Sequence, residues 1–282
     1  MPAADAPCPE QAFNATALKW HTCAWLLLPV LIFLAGWMHW YAALPLMLLT
    51  AAGLAPRKRK EPQTRDSLPA FPLFTRSSFL ALAAFAALMT LSGWGEWVNQ
   101  HPDHIVRNAC LRELVASPWP VIFPDGNMLV YNTGFWLVPA LAGKLAGLDA
   151  ARVLVVLWGA WGLFLTWLWL CVFSGRRSLL LALLMAAFGS LLNFQCWLGL
   201  DLFRLHYFGT AEQIMCSANA SIPVLLFFIF LASGRMPLPW IPLLFVATAF
   251  YSPLAALGGL PLAACQWYRQ WRGAPPLRDV LL

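Results

Sequence analysis

Residues 94–136 read WGEWVNQHPDHIVRNACLRELVASPWPVIFPDGNMLVYNTGFW, a polar, proline-marked stretch in a chain that is otherwise mostly apolar. The sequence on both sides of it contains long apolar runs of the kind that cross a lipid bilayer. The stretch therefore predicts a water-facing loop set between membrane spans. The topology of the chain follows from the side of the membrane on which this loop lies.

The composition is that of an integral membrane protein. Of the 282 residues, 61% are hydrophobic and only 11% are charged, whereas soluble domains carry roughly 25% charged residues. The 16 Trp residues fit this class, because Trp concentrates at bilayer interfaces. The net charge of +6 does not indicate nucleic-acid binding, since no basic cluster is interleaved with aromatics on a soluble domain. We expect a lipid bilayer, and no nucleic acid, as a partner.

The N-terminal part, residues 1–76, is predicted to hold a membrane hairpin and a cytoplasmic loop. Residues 24–55 lack a formal charge and are too many for one span of about 20 residues, so we predict two short arms with a turn near residues 37–41. One long tilted helix is the alternative interpretation. Residues 55–76 contain four consecutive basic residues followed by three prolines, and the positive-inside rule places this loop in the cytoplasm.

A second group of basic residues indicates in which direction the next spans cross the membrane. Residues 77–94 form a span that leads outward, and residues 153–173 form a span that ends at Gly175-Arg176-Arg177, a cytoplasmic loop signal. Residues 95–152 therefore begin and end outside, as one large outer loop. Within this loop, residues 128–148 are apolar but interrupted by polar residues, proline and glycines, so we predict an interfacial or partly re-entrant helix there.

The remaining sequence, residues 153–268, predicts a helix bundle. Its further apolar runs are residues 178–194, 222–233, 237–251 and 254–264, and a second outer loop occupies residues 195–219. The predicted fold class is all-α, a polytopic transmembrane helix bundle of about 7–8 spans in a single domain over residues 1–282, with most Lys and Arg inside. We expect a multi-pass protein of a bacterial inner membrane. The apolar end of the chain suggests the N-terminal part of a longer protein.

The polar stretch concentrates titratable side chains near its start. Pro102 and Asp103 suit the first turn of a helix, because proline has no N–H to leave unbonded and a carboxylate meets the helix dipole favourably. Residues 105–116 then predict a short amphipathic helix with Arg107 on its polar side. The titratable residues grouped here are Glu96, His101, Asp103, His104 and Arg107. Such a set could hold a base, a phosphate ligand or a metal; the alternative is that Asp103 only caps the helix.

The order of features between residues 96 and 188 resembles the first outer loop and following spans of GT-C membrane glycosyltransferases. An acid, Asp103, follows an outward span, and a small-residue helix carries Arg and Glu near its end. A proline-containing link follows, then a helix that ends in Lys144-Leu145-Ala146-Gly147, and a span that closes at Gly175-Arg176-Arg177. The family, which includes protein mannosyltransferases and lipid A aminoarabinose transferases, takes a sugar from a polyprenyl-phosphate carrier.

The resemblance implies a membrane enzyme that transfers such a sugar to an acceptor at the outer membrane face. Asp103 would act as a catalytic base or would bind a divalent ion such as Mg²⁺ or Mn²⁺. Cationic candidates for the phosphate are His104, Arg107, Lys144, Arg204 and His206. Secondary acidic candidates are Glu96, Asp201 and Glu212. The alternatives are a polytopic transporter or flippase and a non-catalytic membrane scaffold; few charges inside the predicted spans argue against a transporter.

Overall fold

The computed structural model describes residues 9–55, 75–98, 100–188 and 209–274, with side chains from Thr16 onward. Within these ranges the chain forms ten helices and no strand beyond one antiparallel bridge between Ile122 and Met128. The helices are α1 (Pro9–Trp37), α2 (Trp40–Leu54), α3 (Arg76–Leu91), α4 (Pro102–Ala116), α5 (Gly134–Ala146), α6 (Leu148–Ser174), α7 (Leu179–Ala187), α8 (Thr210–Ala232), α9 (Trp240–Tyr251) and α10 (Pro253–Trp271). The all-α fold class is confirmed for this part of the chain.

Three helices of the described part are long and apolar enough to cross a membrane. They are α6, α8 and the segment Thr16–Trp37 of α1. The apolar helices α2, α3, α5 and α9 are shorter than the roughly 20 residues of an untilted span. A membrane bundle is therefore supported, and the number of 7–8 spans stays a prediction.

Large apolar side chains on several helices are exposed in the isolated chain. Leu49 of α2, Leu80 of α3, Leu183 of α7 and Leu254 of α10 are each more than half exposed. Soluble monomers rarely present extended apolar surface, whereas side chains of this kind are compatible with contact to lipid tails. A bilayer environment accounts for them.

The N-terminal apolar run breaks where the turn was predicted, but its first arm is longer than predicted. α1 has 29 residues and ends at Trp37, and α2 begins at Trp40 after His39, which has an extended backbone. The prediction of two short arms is therefore wrong for the first arm, because the helix extends back through residues that carry polar groups. The alternative of one uninterrupted helix is also wrong, since the break is present.

α3 and α6 run antiparallel, with polar contacts at both ends. At one end, Glu96, which follows α3, accepts a hydrogen bond from Nη2 of Arg152 near the start of α6, at 2.6 Å. At the other end, Arg177, just after α6, donates to Ser78 near the start of α3. α6 has 27 residues, so these two ends lie about 40 Å apart.

α8 packs along α6 in the parallel direction. Ile222 lies against α6 at Gly162, where an added Cβ would come within 2.6 Å of it. Further along, the rings of Phe230 and Trp169 stack with centroids 4.2 Å apart. The first turns of α8 therefore lie at the same end of the bundle as Glu96, and the opposite end holds Arg177.

The centre of the bundle is a stack of three aromatic rings from three helices. Trp25 of α1 lies between Trp158 of α6 at 5.1 Å and Tyr251 of α9 at 5.7 Å, with both ring pairs within 13° of parallel. Its Nε1–H donates to the Trp158 carbonyl at 3.0 Å, and its own carbonyl accepts from the Tyr251 hydroxyl at 3.0 Å. Gly162 leaves the space for the Trp25 ring, since a Cβ there would lie 2.7 Å from it. This stack joins α1, α6 and α9.

Two helices in the predicted outer loops, α5 and α8, begin at other residues than expected. α5 starts at Gly134, so residues 128–133 of the predicted interfacial segment 128–148 are not helical. Phe135, Trp136 and Leu137 of α5 are buried against protein, so much of this helix is packed inside the bundle. α8 starts at Thr210, which makes the end of the predicted second outer loop helical and continuous with the span predicted to begin at residue 222.

Candidate functional site

The start of α4 is fixed by a reciprocal cap between two histidines. His101 is the N-cap residue, and its Nδ1 accepts the backbone N–H of Asp103 at 3.3 Å. Its own N–H donates to Nδ1 of His104 at 3.3 Å. Pro102 occupies the first turn, where a missing N–H costs nothing. The interpretation of Asp103 as the cap is wrong, because Asp103 lies inside the first turn with its side chain half exposed.

His104 is buried and joins α4 to α8. Its Nε2 lies 2.8 Å from the carbonyl oxygen of Met215. Since Nδ1 accepts a hydrogen bond from His101, Nε2 is the protonated nitrogen and donates. Burial lowers the pKa of His104; the Met215 hydrogen bond acts in the opposite direction, and the nearby Arg107 charge lowers the pKa further. The ring is thus held neutral, with both nitrogens bonded to protein.

Arg107 is buried against α8, although its position in the amphipathic pattern predicts a polar, water-facing side. The residue is 8% exposed. Its Nη2 lies 3.6 Å from Oδ2 of Asp103 and 3.5 Å from Oγ of Ser217, and its guanidinium lies over the Trp94 ring at 5.9 Å. Both Nε and Nη1 are buried, and neither has a hydrogen-bond partner among the described residues. Buried guanidinium donors without a partner are costly, so this side chain calls for a functional explanation.

α8 is interrupted beside Arg107. Ser217 has φ −151° and ψ 37°, outside the helical region. An interruption of this kind leaves carbonyls in the preceding turn without helical donors. Two of them accept side-chain hydrogen bonds instead: Ile214 from Nε1 of Trp94 at 2.8 Å and Met215 from His104. These two bonds fix the start of α8 against α4.

The interruption brings Cys216 to the start of α4. One potential ligand atom each from His101, Asp103 and Cys216 lies within 4.8 Å of the other two. Arg107 and Ser217 border this group. We call the five residues His101, Asp103, Arg107, Cys216 and Ser217 the α4–α8 junction. The junction lies at the Glu96 end of the bundle and is partly open, because the side chains of His101 and Asp103 are 38% and 50% exposed.

Glu96 belongs to a separate ionic cluster. Its Oε2 accepts hydrogen bonds from Nη2 of Arg112 at 2.5 Å and Nη2 of Arg152 at 2.6 Å, while Asp149 holds the other Nη of Arg152 at 2.8 Å. Burial alone would raise the pKa of Glu96, but the hydrogen bonds and charges of the two arginines outweigh burial and lower it. The cluster ties the segment after α3 to α4 and α6.

We expect Glu96→Gln to lower the free energy of unfolding by about 1–2 kcal/mol at pH 7, because charge-assisted hydrogen bonds are lost and one arginine partner is half exposed. A carboxylate with a lowered folded-state pKa stabilises above its unfolded pKa of about 4.3, and this stabilisation is lost as pH falls through the folded-state pKa. Denaturation in detergent at a series of pH values measures both effects. Asp149→Asn, which removes an exposed carboxylate, serves as the control with a smaller loss. A difference between wild type and Glu96→Gln that persists well below pH 4 would contradict this account.

Two other candidates make structural contacts away from Asp103. Lys144 donates from Nζ to the carbonyl of Ser117 at 2.5 Å and lies over the Trp119 ring at 5.0 Å, at the far end of α4. Glu212 accepts the N–H of Gly209 at 3.0 Å and so caps the start of α8. The remaining three candidates, Asp201, Arg204 and His206, lie outside the described residues.

Sequence reasoning named Glu212 on α8 but missed the two α8 residues that meet Asp103 and Arg107. Cys216 and Ser217 lie more than 100 positions from Asp103, and no local pattern marks them as its neighbours. Comparison with protein-family models, curated proteins and solved structures finds no match for this chain.

Proposed function

We propose that this chain is a membrane glycosyltransferase-like enzyme of the GT-C type, which transfers a sugar from a polyprenyl-phosphate carrier to an acceptor. The observation that carries the proposal is the pair formed by Asp103 and Arg107. A half-exposed carboxylate lies beside a buried guanidinium, two of whose nitrogens have no partner among the described residues. Sugar transfer from a phosphate carrier needs both kinds of group at one place.

The position of the pair supports a site at the outer membrane face. The junction lies at the end of the bundle opposite to Arg177, and the positive-inside rule assigns Gly175-Arg176-Arg177 to the cytoplasm. The junction would then face the periplasmic side of a bacterial inner membrane. A donor anchored in the bilayer by its polyprenyl tail would present its phosphate at one face of the membrane.

In the proposed reaction the acceptor oxygen forms a bond to the anomeric carbon of the sugar. The bond between that carbon and the phosphate oxygen breaks, and its electron pair leaves with the phosphate. The acceptor proton passes to the carboxylate of Asp103, which acts as general base; in metal-dependent members of the family the corresponding acid instead binds a cation. Nε and Nη1 of Arg107 are the donors that we assign to the departing phosphate, since a guanidinium offers parallel donors that match phosphate oxygens.

Other sequence candidates take supporting roles in this proposal. His104 is neutral and bonded on both nitrogens, so it orients the start of α4 against α8. Glu96, Lys144 and Glu212 hold the surrounding helices by the contacts described above. Asp201, Arg204 and His206 stay candidates for the phosphate and acceptor on the grounds of the sequence alone.

Binding of polyprenyl phosphate to the purified chain in detergent tests the role of Arg107. We expect Arg107→Gln to weaken the affinity by about 10- to 150-fold, which corresponds to the loss of a charge-assisted hydrogen bond of about 1.5–3 kcal/mol. Arg107→Lys keeps the charge but not the paired donors, so it should recover only part of the affinity. Microscale thermophoresis with a fluorescent polyprenyl phosphate measures each affinity.

The control is Arg272→Gln, which removes an exposed arginine after α10. We expect it to bind polyprenyl phosphate as the wild type does. The melting temperature separates binding from folding: the lipid phosphate should raise that of the wild type and not that of Arg107→Gln. Equal affinities of wild type and a folded Arg107→Gln would refute the assignment of Arg107 to the phosphate.

A further inference from the structure

The α4–α8 junction combines three side chains that bind metals well. We propose that His101, Asp103 and Cys216 bind a transition-metal ion of the zinc type. This site shares Asp103 with the proposed glycosyltransferase reaction but does not depend on it, because the inference rests on the ligand geometry. It adds Cys216, which the sequence did not single out as a ligand, to His101 and Asp103 of the polar stretch.

The ligand atoms are close to the spacing of a metal site. They lie within 4.8 Å of one another, and Nδ1 of His101 is 3.7 Å from Oδ2 of Asp103. Zinc bonds of about 2.0–2.3 Å place tetrahedral ligands roughly 3.3–3.8 Å apart. Closing the group on an ion therefore requires shifts of about 1 Å or less, which rotation of exposed side chains supplies.

The fold holds the ligands from two helices in this arrangement. His101 and Asp103 are held at the start of α4 by the hydrogen bond from the His101 N–H to His104 and by the first helical turn. Cys216 precedes the interruption at Ser217, and the hydrogen bonds of Trp94 and His104 to the preceding carbonyls fix its backbone. The approach of the thiol to the carboxylate is thus a consequence of tertiary structure, maintained by buried contacts on both sides.

Existing contacts are compatible with an ion. Nδ1 of His101 accepts a long hydrogen bond of 3.3 Å from the N–H of Asp103, and coordination would replace this weak bond. Nη2 of Arg107 lies 3.6 Å from Oδ2 of Asp103, the same oxygen that faces Nδ1 of His101, and a carboxylate has lone pairs enough for a guanidinium and a metal together. An arginine that holds a ligating carboxylate in this way is a typical outer-shell partner.

The ligand types select the metal. A cysteine sulfur and an imidazole favour zinc and similar transition metals, whereas Mg²⁺ and Mn²⁺ prefer oxygen ligands. The proposed ion therefore differs from the Mg²⁺ or Mn²⁺ that the family resemblance implies. Three protein ligands leave a fourth position of a tetrahedral ion open, as in zinc sites that bind water or substrate. The exposed side of His101 and Asp103 is where that position would lie.

Cobalt titration tests the site in the full chain purified in detergent and stripped of metal with a chelator. Co²⁺ is the probe, because a thiolate bound to it gives a charge-transfer absorption band and tetrahedral coordination gives strong visible bands. We expect one equivalent of Co²⁺ to bind with both signals and Zn²⁺ to displace it. Cys216→Ser should abolish the charge-transfer band, and His101→Asn, which retains a capping side chain, should weaken Co²⁺ binding by at least tenfold.

Matched controls replace residues of the same type elsewhere. Cys265→Ser changes an exposed cysteine on α10, and His39→Asn changes an exposed histidine at the start of α2; both should keep the wild-type spectrum. A further measurement uses only the wild-type chain, so its result does not depend on whether a variant folds. Zn²⁺ should slow alkylation of Cys216 in the wild type at least tenfold, while alkylation of Cys265 keeps its rate, as read by peptide mass spectrometry.

Absence of the thiolate band in the wild type, its survival in Cys216→Ser, or equal alkylation of Cys216 with and without Zn²⁺ would overturn the metal site. None of these results bears on the binding of polyprenyl phosphate by Arg107. Conversely, Arg107→Gln could bind polyprenyl phosphate as tightly as the wild type and still give the wild-type cobalt spectrum. That result would refute the proposed function but not the metal site.

Discussion

Sugar transfer from a polyprenyl-phosphate donor is expected to fall by about 10²- to 10⁴-fold when Asp103 is replaced by asparagine, the range typical of a lost general base. Asparagine has nearly the same shape and can still accept a hydrogen bond from Arg107, but it cannot take a proton from the acceptor. Asp103 is half exposed and is not the helix cap, so the substitution leaves the supports of α4 in place. Transfer of radiolabelled sugar in membranes that contain the chain gives the rate.

Asp125→Asn is the matched control for this experiment. Asp125 is an exposed acid of the same polar stretch, and its carboxylate bonds only to the neighbouring Asn127 in a turn among the described residues. We expect its transfer rate to stay within a factor of two of the wild type, since surface substitutions change stability by about 0.5 kcal/mol or less. Normal transfer by a folded, inserted Asp103→Asn variant would remove the enzyme assignment.

The largest loss of stability is expected for Trp25→Ala, at about 3–5 kcal/mol of unfolding free energy. Trp25 is 1% exposed and lies between Trp158 and Tyr251. Its removal leaves a cavity where three helices meet and removes the donor to the Trp158 carbonyl. Titration with a denaturing detergent, followed by circular dichroism, measures the change.

Two further variants separate the contributions to this loss. Trp25→Phe keeps an aromatic ring in the stack but not the Nε1–H, so we expect a smaller loss of about 1–2 kcal/mol. Trp267→Ala removes a ring of α10 that is 42% exposed and should cost about 1 kcal/mol or less. A Trp25→Ala protein as stable as Trp267→Ala would show that the stack does not hold α1, α6 and α9 together.

Local signals in the sequence predicted much of the secondary structure. The helix start at Pro102 and the break near residues 37–41 are confirmed, because caps and interruptions depend on neighbouring residues. The first arm of the predicted hairpin was too short, since polar residues before residue 24 still form helix. The predicted end of the second outer loop at residue 219 was wrong for a similar reason. The polarity of residues 210–219 indicated a loop, but these residues form helix, because protein contacts meet the hydrogen-bonding needs of their polar groups.

The sequence predicted the residues of the α4–α8 junction that come from the start of α4, but not the two that come from α8. The polar stretch supplied Asp103, His104 and Arg107, and its clustering drew attention to His101. The amphipathic pattern assigned Arg107 to water, and the structure buries it instead, because Ser217 of α8 and Trp94 lie against its guanidinium. Periodicity tells which residues share a helix face, but it does not tell which helix packs on that face.

The sequence by itself predicted an all-α chain of membrane type, with a polar stretch in which a short helix begins at Pro102. Composition, apolar run length and helix caps are properties of contiguous residues, so they are readable without a fold. The tertiary structure alone decided that Cys216 and Ser217 meet His101, Asp103 and Arg107, and that Trp25 is enclosed by α6 and α9. Contacts between residues more than 100 positions apart depend on the packing of whole helices, and that packing is set by side-chain fit across the bundle rather than by any local pattern.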